Sequence, residues 1–549
     1  MLLVGKLLKR DSIADKIPTL SSIFECSSPM HSGKPSQNHY SLISENLKEV
    51  FKIINEEYGK LSNLTKRELK MELIRLKKHG EYNISSELNS LLKNMEEDED
   101  FQKFKVFVGY EVDDFDKSYS ESKEERSGKI ESFIEELSVE NVVSWKGYLS
   151  SIIINYNSNP GLYQGIHDFL RILAERKQEL STSFLSDGDF DKFKISLLIG
   201  SLLSSNKEQA NTQINSMIDS NNSLFEISEA LLRVNDFEIG LLKKLIEKFF
   251  ISPNSNMGIS LLRVILKQYE KHKDLKDHFL KIIKELTNLK EFNWAPHTFY
   301  IKSSLLKDLT DSDYDEILNN LVNKQSVDYH EEEILNELIK KNSLKMVSFF
   351  LRRVKIYEET RNIDRPIPFS FQKIKIPDEE ANKVFLEIFK WMDRGAIVRW
   401  EAGNLLSNLF PKIEGKIKEI IIEIIKKKDD SDLKKLFILL QKYDGDKNIL
   451  DLAKEILVNF PKTKKLYEKI FRLLSFQSSW TGEYGLIEIY RSKIEEIKHW
   501  LGEERLKDFA KKYISHLENR IKYETARVEK EKEFMQDEFN SIKNRFESP

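Results

Sequence analysis

Residues 480–534 read WTGEYGLIEIYRSKIEEIKHWLGEERLKDFAKKYISHLENRIKYETARVEKEKEF, and this stretch decides how the rest of the chain is read. Within it Leu506, Phe509, Ala510, Tyr513, Ile514, Leu517 and Ile521 recur every three or four positions, the spacing that sets them on one broad helical face. A face that wide packs against other helices. Past Ile521 the stripe narrows to Val528, Met535 and Ile542, seven apart, with Phe539 close by, while Glu524, Glu531 and Glu538 hold the intervening positions. A seam with carboxylates at every d position is a poor coiled coil. The end of this helix therefore reads as a solvated rod carried by its Glu/Lys pairs or as a docking surface for a partner helix. The segment as a whole has the character of an end cap, and a cap implies a helical stack to close.

Working outward, 549 residues exceed one compact core at roughly 150 residues per domain, unless the core grows lengthwise as a repeat array. Charged residues at 32% against only 20 Gly and 12 Pro favour long amphipathic helices over strands joined by tight turns. The 87 basic and 90 acidic side chains are interleaved, leaving a net charge of -3 and no global field for nucleic acid or anionic lipid. Cys26 is the sole cysteine, which excludes an internal disulfide and any thiolate metal cluster. Lys6, Lys9 and Arg10 interrupt the N-terminus too early for a signal region, and no run approaches the roughly 18 apolar residues of a membrane span. A cytoplasmic protein is expected.

The chain in order gives an all-α, irregular HEAT/armadillo-like α-solenoid with a small N-terminal helical unit and a long C-terminal helix. Residues 1–40 read as a poorly ordered lead-in, punctuated by Pro18, Pro29, Gly33 and Pro35. Residues 41–100 form the helical unit, ending at the acidic break EEDED. Residues 101–129 read as a linker with a possible short strand, because Phe104, Val106 and Val108 alternate with their neighbours before Gly109. Residues 130–479 carry nearly unbroken helical patterning, with helix pairs expected near Gly258, Pro296, Glu331, Glu379, Lys416 and Asn448. No residue recurs at fixed offsets, so HEAT-like hairpins fit better than TPR or ankyrin units. Pro366, Pro368 and Pro377 forbid a continuous helix across residues 357–378, and an insertion loop leaving the stack is expected there. Residues 480–549 are the cap and long charged helix.

No catalytic, cofactor or metal motif emerges. Asp444, Asp446 and Asn448 alternate, with Glu455 beyond, but Ile449 stands where a Ca²⁺ loop needs glycine; Asp187, Asp189 and Asp191 fail likewise at Lys192. His167-Asp168 lacks the further ligands of a metal phosphohydrolase, and His330-Glu331-Glu332-Glu333 reads as the acidic first turn of a helix. Neither a phosphate-binding glycine loop nor a nucleophile elbow occurs. Lys426, Lys427 and Lys428 end a strongly apolar helix, where cations complement the helix dipole; contact with a phosphate backbone is the sharper alternative.

The order of features in the quoted stretch resembles the closing segment of large bacterial HEAT-like helical proteins of anti-phage defence: a GEYG turn, a Trp before a charged break, Phe-Ala in the next helix, then a Leu-Glu-x-x-Ile helix. The FVGYE run at 107–111, Trp145, Phe169-Leu170 and LLIGSLL at 197–203 are similar in type and order to the same architecture. In that family the solenoid follows a nucleotide-hydrolysing or effector domain and acts as a recognition surface. Here the sequence shows no such domain, so the resemblance implies a stand-alone subunit or a portion of something larger, and it carries over no catalytic residue. The expected function is a non-enzymatic protein-binding scaffold or sensor of a bacterial antiviral defence system, without cofactor. Its expected partner is another protein, a defence effector or a phage-derived ligand, docking on Val528, Met535, Phe539 and Ile542. A nucleic-acid-binding solenoid using Lys426, Lys427 and Lys428 is the alternative.

Overall fold

The computed structural model describes residues 37–547 apart from 80–83, 110–116, 156–162, 299, 302 and 476–483. Among the described residues there are 26 α-helices and no strand, the all-α class that the patterning predicts. The expected lead-in, but for a helix that already begins at Gln37, and Cys26 within it lie outside the described residues, as does the first half of the GEYG turn. The chain folds as two compact units, Met1–Ser252 and Pro253–Pro549, a division that falls inside the stretch whose periodicity reads as continuous.

The first unit opens with α1 (Gln37–Glu57), α2 (Asn63–His79) and α3 (Ser85–Glu97), which bury Leu47, Phe51, Ile54, Leu69, Leu73, Leu88 and Leu91. Asp98 then caps α4 (Glu99–Phe107): its carboxylate accepts from Phe101 N at 3.0 Å, Lys66 Nζ at 2.7 Å and Tyr58 Oη at 3.0 Å. The expected strand is therefore a helix. Alternation at Phe104, Val106 and Val108 was the misleading signal, because a helix buried on more than one side also hides Val106; the deciding spacing is Phe101, Phe104, Phe107 and Val108, behind an N-cap and two acids.

Next come α5 (Tyr119–Glu136), opened by a Ser118/Glu121 capping box, α6 (Val142–Asn155), α7 (Gln164–Arg176) and α8 (Gln178–Leu185). The unit closes with α9 (Lys194–Leu203), α10 (Lys207–Asp219), α11 (Leu224–Arg233) and α12 (Ile239–Ile251). The features singled out upstream meet in its core. Phe107 packs edge-on to Phe169 at 5.4 Å, Trp145 stacks on Phe169 at 5.5 Å, and Lys103 Nζ lies 3.8 Å from the Trp145 ring centre. In the LLIGSLL run, α9 crosses α7 so closely that a Cβ on Gly200 would lie 2.0 Å from Arg171 O, so only glycine fits there.

The second unit begins with α13 (Ser255–Gln268) and α14 (Leu275–Asn288), then the short α15 (Ala295–Thr298) and α16 (Leu305–Asp308), and α17 (Asp313–Leu321). The long α18 (Tyr329–Thr360) is broken at Asn342, whose φ of -155° and ψ of 91° leave the helical region. Three hairpins follow: α19 (Asp378–Trp391) with α20 (Ala396–Leu409), α21 (Gly415–Lys426) with α22 (Asp430–Leu440), and α23 (Ile449–Asn459) with α24 (Lys464–Ser475). Helices α19, α21 and α23 touch in series and α20, α22 and α24 form a second series beside them. This two-layer succession is what hairpins with one apolar face each must build. The unit ends in α25 (Gly485–Lys498) and α26 (Lys507–Glu547).

The proline-rich insertion does not leave the stack. Ile363, Ile367 and Ile374 are buried, and side chains from outside the loop tie its backbone down. Arg353, on α18 and fully buried, donates from Nε to Pro366 O at 3.1 Å, from Nη1 to the carbonyls of Leu321, Val322 and Lys324 at 3.2, 3.2 and 2.7 Å, and from Nη2 to those of Gln325 and Arg365 at 3.3 and 3.0 Å. Its planar fork thereby satisfies the last carbonyls of α17 and the insertion at once. On the same helix Glu332 accepts from the backbone N of Gln372 and Lys373, both at 2.7 Å. Glu331, fully buried, pairs with Lys324 at 2.6 Å and closes a capping box with Asp328. Proline prevents helix here, but burial and these polar ties hold the loop in place.

Two outcomes follow from this cluster. Arg353→Met, close in volume but unable to donate, removes a donor from six carbonyls, four of them buried, and urea unfolding should show a loss of about 3–5 kcal/mol. Burial, with the Asp328 carboxylate beside it, pushes Glu331 from its ordinary 4.5 up to about 7 despite Lys324. A raised acid keeps in the folded state a proton that the unfolded chain has released, so its contribution declines as pH rises from about 4.5 to about 7 and is level above. The urea midpoint of the wild type relative to Glu331→Gln should therefore fall between pH 5 and pH 8; a constant difference contradicts the assignment.

Candidate functional site

A strongly cationic concavity lies between α24 and α26. The two helices run side by side in the same direction, Tyr467 facing Asp508 and Phe471 facing Tyr513 and His516. They do so because Phe471 and Phe509 meet at 5.2 Å and Tyr513 stacks on Phe509 at 5.8 Å, which zips the two apolar stripes together. Above this seam opens a groove of about 720 Å³, lined by Lys462, Lys464, Arg472, Lys512 and Arg520, with Glu468 as the single acid. Lys512 Nζ sits 2.9 Å from Asp508, which also accepts from Tyr467 Oη at 3.1 Å. The Lys512 ammonium, together with that hydroxyl, holds the Asp508 carboxyl below its usual range. No carboxylate among the described residues lies within ion-pair distance of Lys464, Arg472 or Arg520. Between the cations, the His516 ring stacks on Phe471 at 5.3 Å. Burial, reinforced by Arg520, lowers the His516 pKa, so the imidazole is neutral at physiological pH and adds a flat ring rather than a charge.

The second feature is the end of α26. Leu506, Phe509, Ala510, Tyr513 and Leu517 are buried, as the stripe predicts, and Ile514 and Ile521 are half-buried. Packing continues further than the narrowing stripe suggests. Val528 is 3% exposed and Glu524 8%, and Lys532 Nζ lies 3.3 Å from Tyr484 Oη at the start of α25. Val528 is therefore not free to dock a partner, a correction to the sequence reading: it is buried within the fold. Met535 and Phe539, 57% and 68% exposed, are free, and Phe534 joins them at 68%. The Ile542 side chain lies outside the described residues. Arg527 bridges Glu524 and Glu531, each at 2.8 Å, so two carboxylates that looked like misplaced seam residues are paired along their own helix.

The remaining sequence candidates are set in the framework. Lys426, Lys427 and Lys428 are exposed at the end of α21, followed at once by Asp429 and Asp430, and Lys428 adopts a φ of 58°. His167 Nδ1 lies 2.8 Å from Ser196 Oγ and its ring packs on Phe193, while Asp168 turns toward Gln164 and Arg171; the two do not face a common point. Asp446 accepts from the backbone of Ile413 and Asn448, a capping role. Asp187 takes Lys146 and Asp191 takes Lys194. Glu331 and Glu332 do form an acidic first turn, and His330 lines a cavity of about 400 Å³ with Lys307, Glu333, Glu337 and Lys373. Among the described residues no three His, Cys, Asp or Glu side chains are grouped to hold a metal ion, and no helix is long and apolar enough to cross a membrane.

Sequence reasoning missed the groove, although one signal was present: Lys512, His516 and Arg520 are four apart and so share a helical ridge. Their opposite numbers on α24 are brought in by packing that no local pattern announces. The chain matches no protein-family model, no curated protein and no solved structure.

The boundary between packed and free helix is measurable. Ending the chain after Lys532 should leave urea stability within about 0.5 kcal/mol of the full length. Ending it after Tyr523 removes Val528 and should cost about 1–3 kcal/mol.

Proposed function

We propose that this protein is a non-enzymatic binding scaffold that engages another protein through the end of its last helix. The observation that carries the reading is the run of α26 past Val528, its last buried residue among the described side chains, into Phe534, Met535 and Phe539, three large apolar side chains more than half exposed on one short stretch. Exposed apolar clusters of this kind mark interaction sites. Charge selects the occupant. From Glu529 to Phe539 the helix carries five carboxylates and two lysines, so a second copy in parallel would oppose acid to acid, whereas a partner helix with an apolar stripe and basic flanks complements it. A role in bacterial antiviral defence, with a defence effector or a phage-derived protein as partner, is part of the proposal and rests on the resemblance of the closing segment. A cytoplasmic location accords with a single cysteine.

The test is recovery from the native host. The wild-type chain should bring down one protein in stoichiometric amount, and the combined change of Phe534, Met535 and Phe539 to serine should abolish that recovery without moving the melting temperature. A chain that recovers nothing, or one whose serine variant keeps the partner, removes the proposal. A homodimer in sedimentation that the serine variant disrupts contradicts it as well, because the occupant is then a second copy.

A further inference from the structure

We propose that the groove between α24 and α26 binds single-stranded nucleic acid, at a site separate from the protein-docking end of α26. Three observations carry this. The groove presents five lysine and arginine side chains against one glutamate in a chain whose overall charge is slightly negative. Lys464, Arg472 and Arg520 have no carboxylate partner among the described residues, so their charge is not spent inside the fold. The cations also fall into two groups, Lys462, Lys464 and Lys512 toward one end and Arg472 with Arg520 toward the other. Eight residues separate Lys464 from Arg472 and Lys512 from Arg520, about 12 Å along each helix at about 1.5 Å per residue.

Between these groups lie the stacked rings of Phe471 and His516, each partly exposed. A single phosphate ion satisfies one end of such a site and leaves the rings idle. A duplex offers phosphates but keeps its base faces inside its own stack. A single strand offers both, phosphates for the two cation groups and a base face for the rings, which is the combination that binds single strands with little sequence preference. A peptide phosphorylated on serine or threonine ranks below it, since the phosphorylated residue itself brings no planar group to set on Phe471 and His516.

The experiment is fluorescence anisotropy of the full chain with labelled oligothymidylate and oligouridylate at low salt. Binding is expected, falling as salt rises. Arg472→Glu combined with Arg520→Glu should weaken it at least tenfold and reduce the salt slope by about 1.4, two phosphate contacts at about 0.7 each. At about 0.15 M salt, where charges more than about 8 Å away are largely screened, changing Lys426, Lys427 and Lys428 to glutamine should alter it less than about twofold. His516→Ala should weaken it with no change of slope, which separates ring stacking from charge. If the double glutamate variant fails to fold by circular dichroism, the double glutamine variant replaces it with the same expectation. No binding at low salt, tighter binding of duplex, equal binding of a phosphopeptide, or a double variant as tight as wild type overturns the proposal.

Discussion

The helices of this chain are held by one constraint: an apolar face must be covered. In the second unit this requirement is met by repetition: α19, α21 and α23 cover one another along one layer and α20, α22 and α24 along the other. No hairpin buries its own face alone, so stability is shared between neighbours and the sequence is free to drift wherever an apolar face is kept. That freedom is why no consensus residue marks the repeats. It also fixes where exceptions can occur, at the insertion and at the end.

At the insertion, three prolines stop helix formation and leave backbone carbonyls with no helical partner. Arg353 supplies the missing donors from inside the fold, and Glu332 supplies an acceptor for the returning strand of chain. The polar cluster around Lys324, Asp328 and Glu331 sits against the same turn. A loop that would otherwise be a mobile appendage becomes part of the core. The second exception is α26. Its first turns are held by α24 and α25, its sides rise into a cationic groove, and its last described turns run into solvent carrying exposed aromatic side chains.

Much of this was legible in the sequence. Helix starts near Gly258, Pro296, Glu331, Glu379, Lys416 and Asn448 coincide closely with the observed α13, α15, α18, α19, α21 and α23, because three-four periodicity and caps are local signals. Failures came where tertiary burial overrode a local pattern. Val106 looked like a strand residue because its helix is hidden on two sides. Val528 looked available because its seam neighbours are glutamates, yet Arg527 pairs with two of them and the valine is buried. Arg353 gave no signal at all, since a buried arginine is indistinguishable in sequence from a surface one. Half of the groove was readable as the ridge of Lys512, His516 and Arg520, and the other half depended on which helix packs beside it.

The last helix changes character within itself, packed up to Val528 and Lys532 and exposed at Phe534, Met535 and Phe539 beyond. Amide hydrogen exchange followed residue by residue along Lys507–Glu547 tests it most directly, because protection reports whether a helical turn is held by packing or stands alone. Protection should be high from Phe509 through Val528 and drop sharply from Glu533 onward in the isolated protein. Uniform strong protection to the end of the helix, or its absence already at Ile521, would contradict the claim.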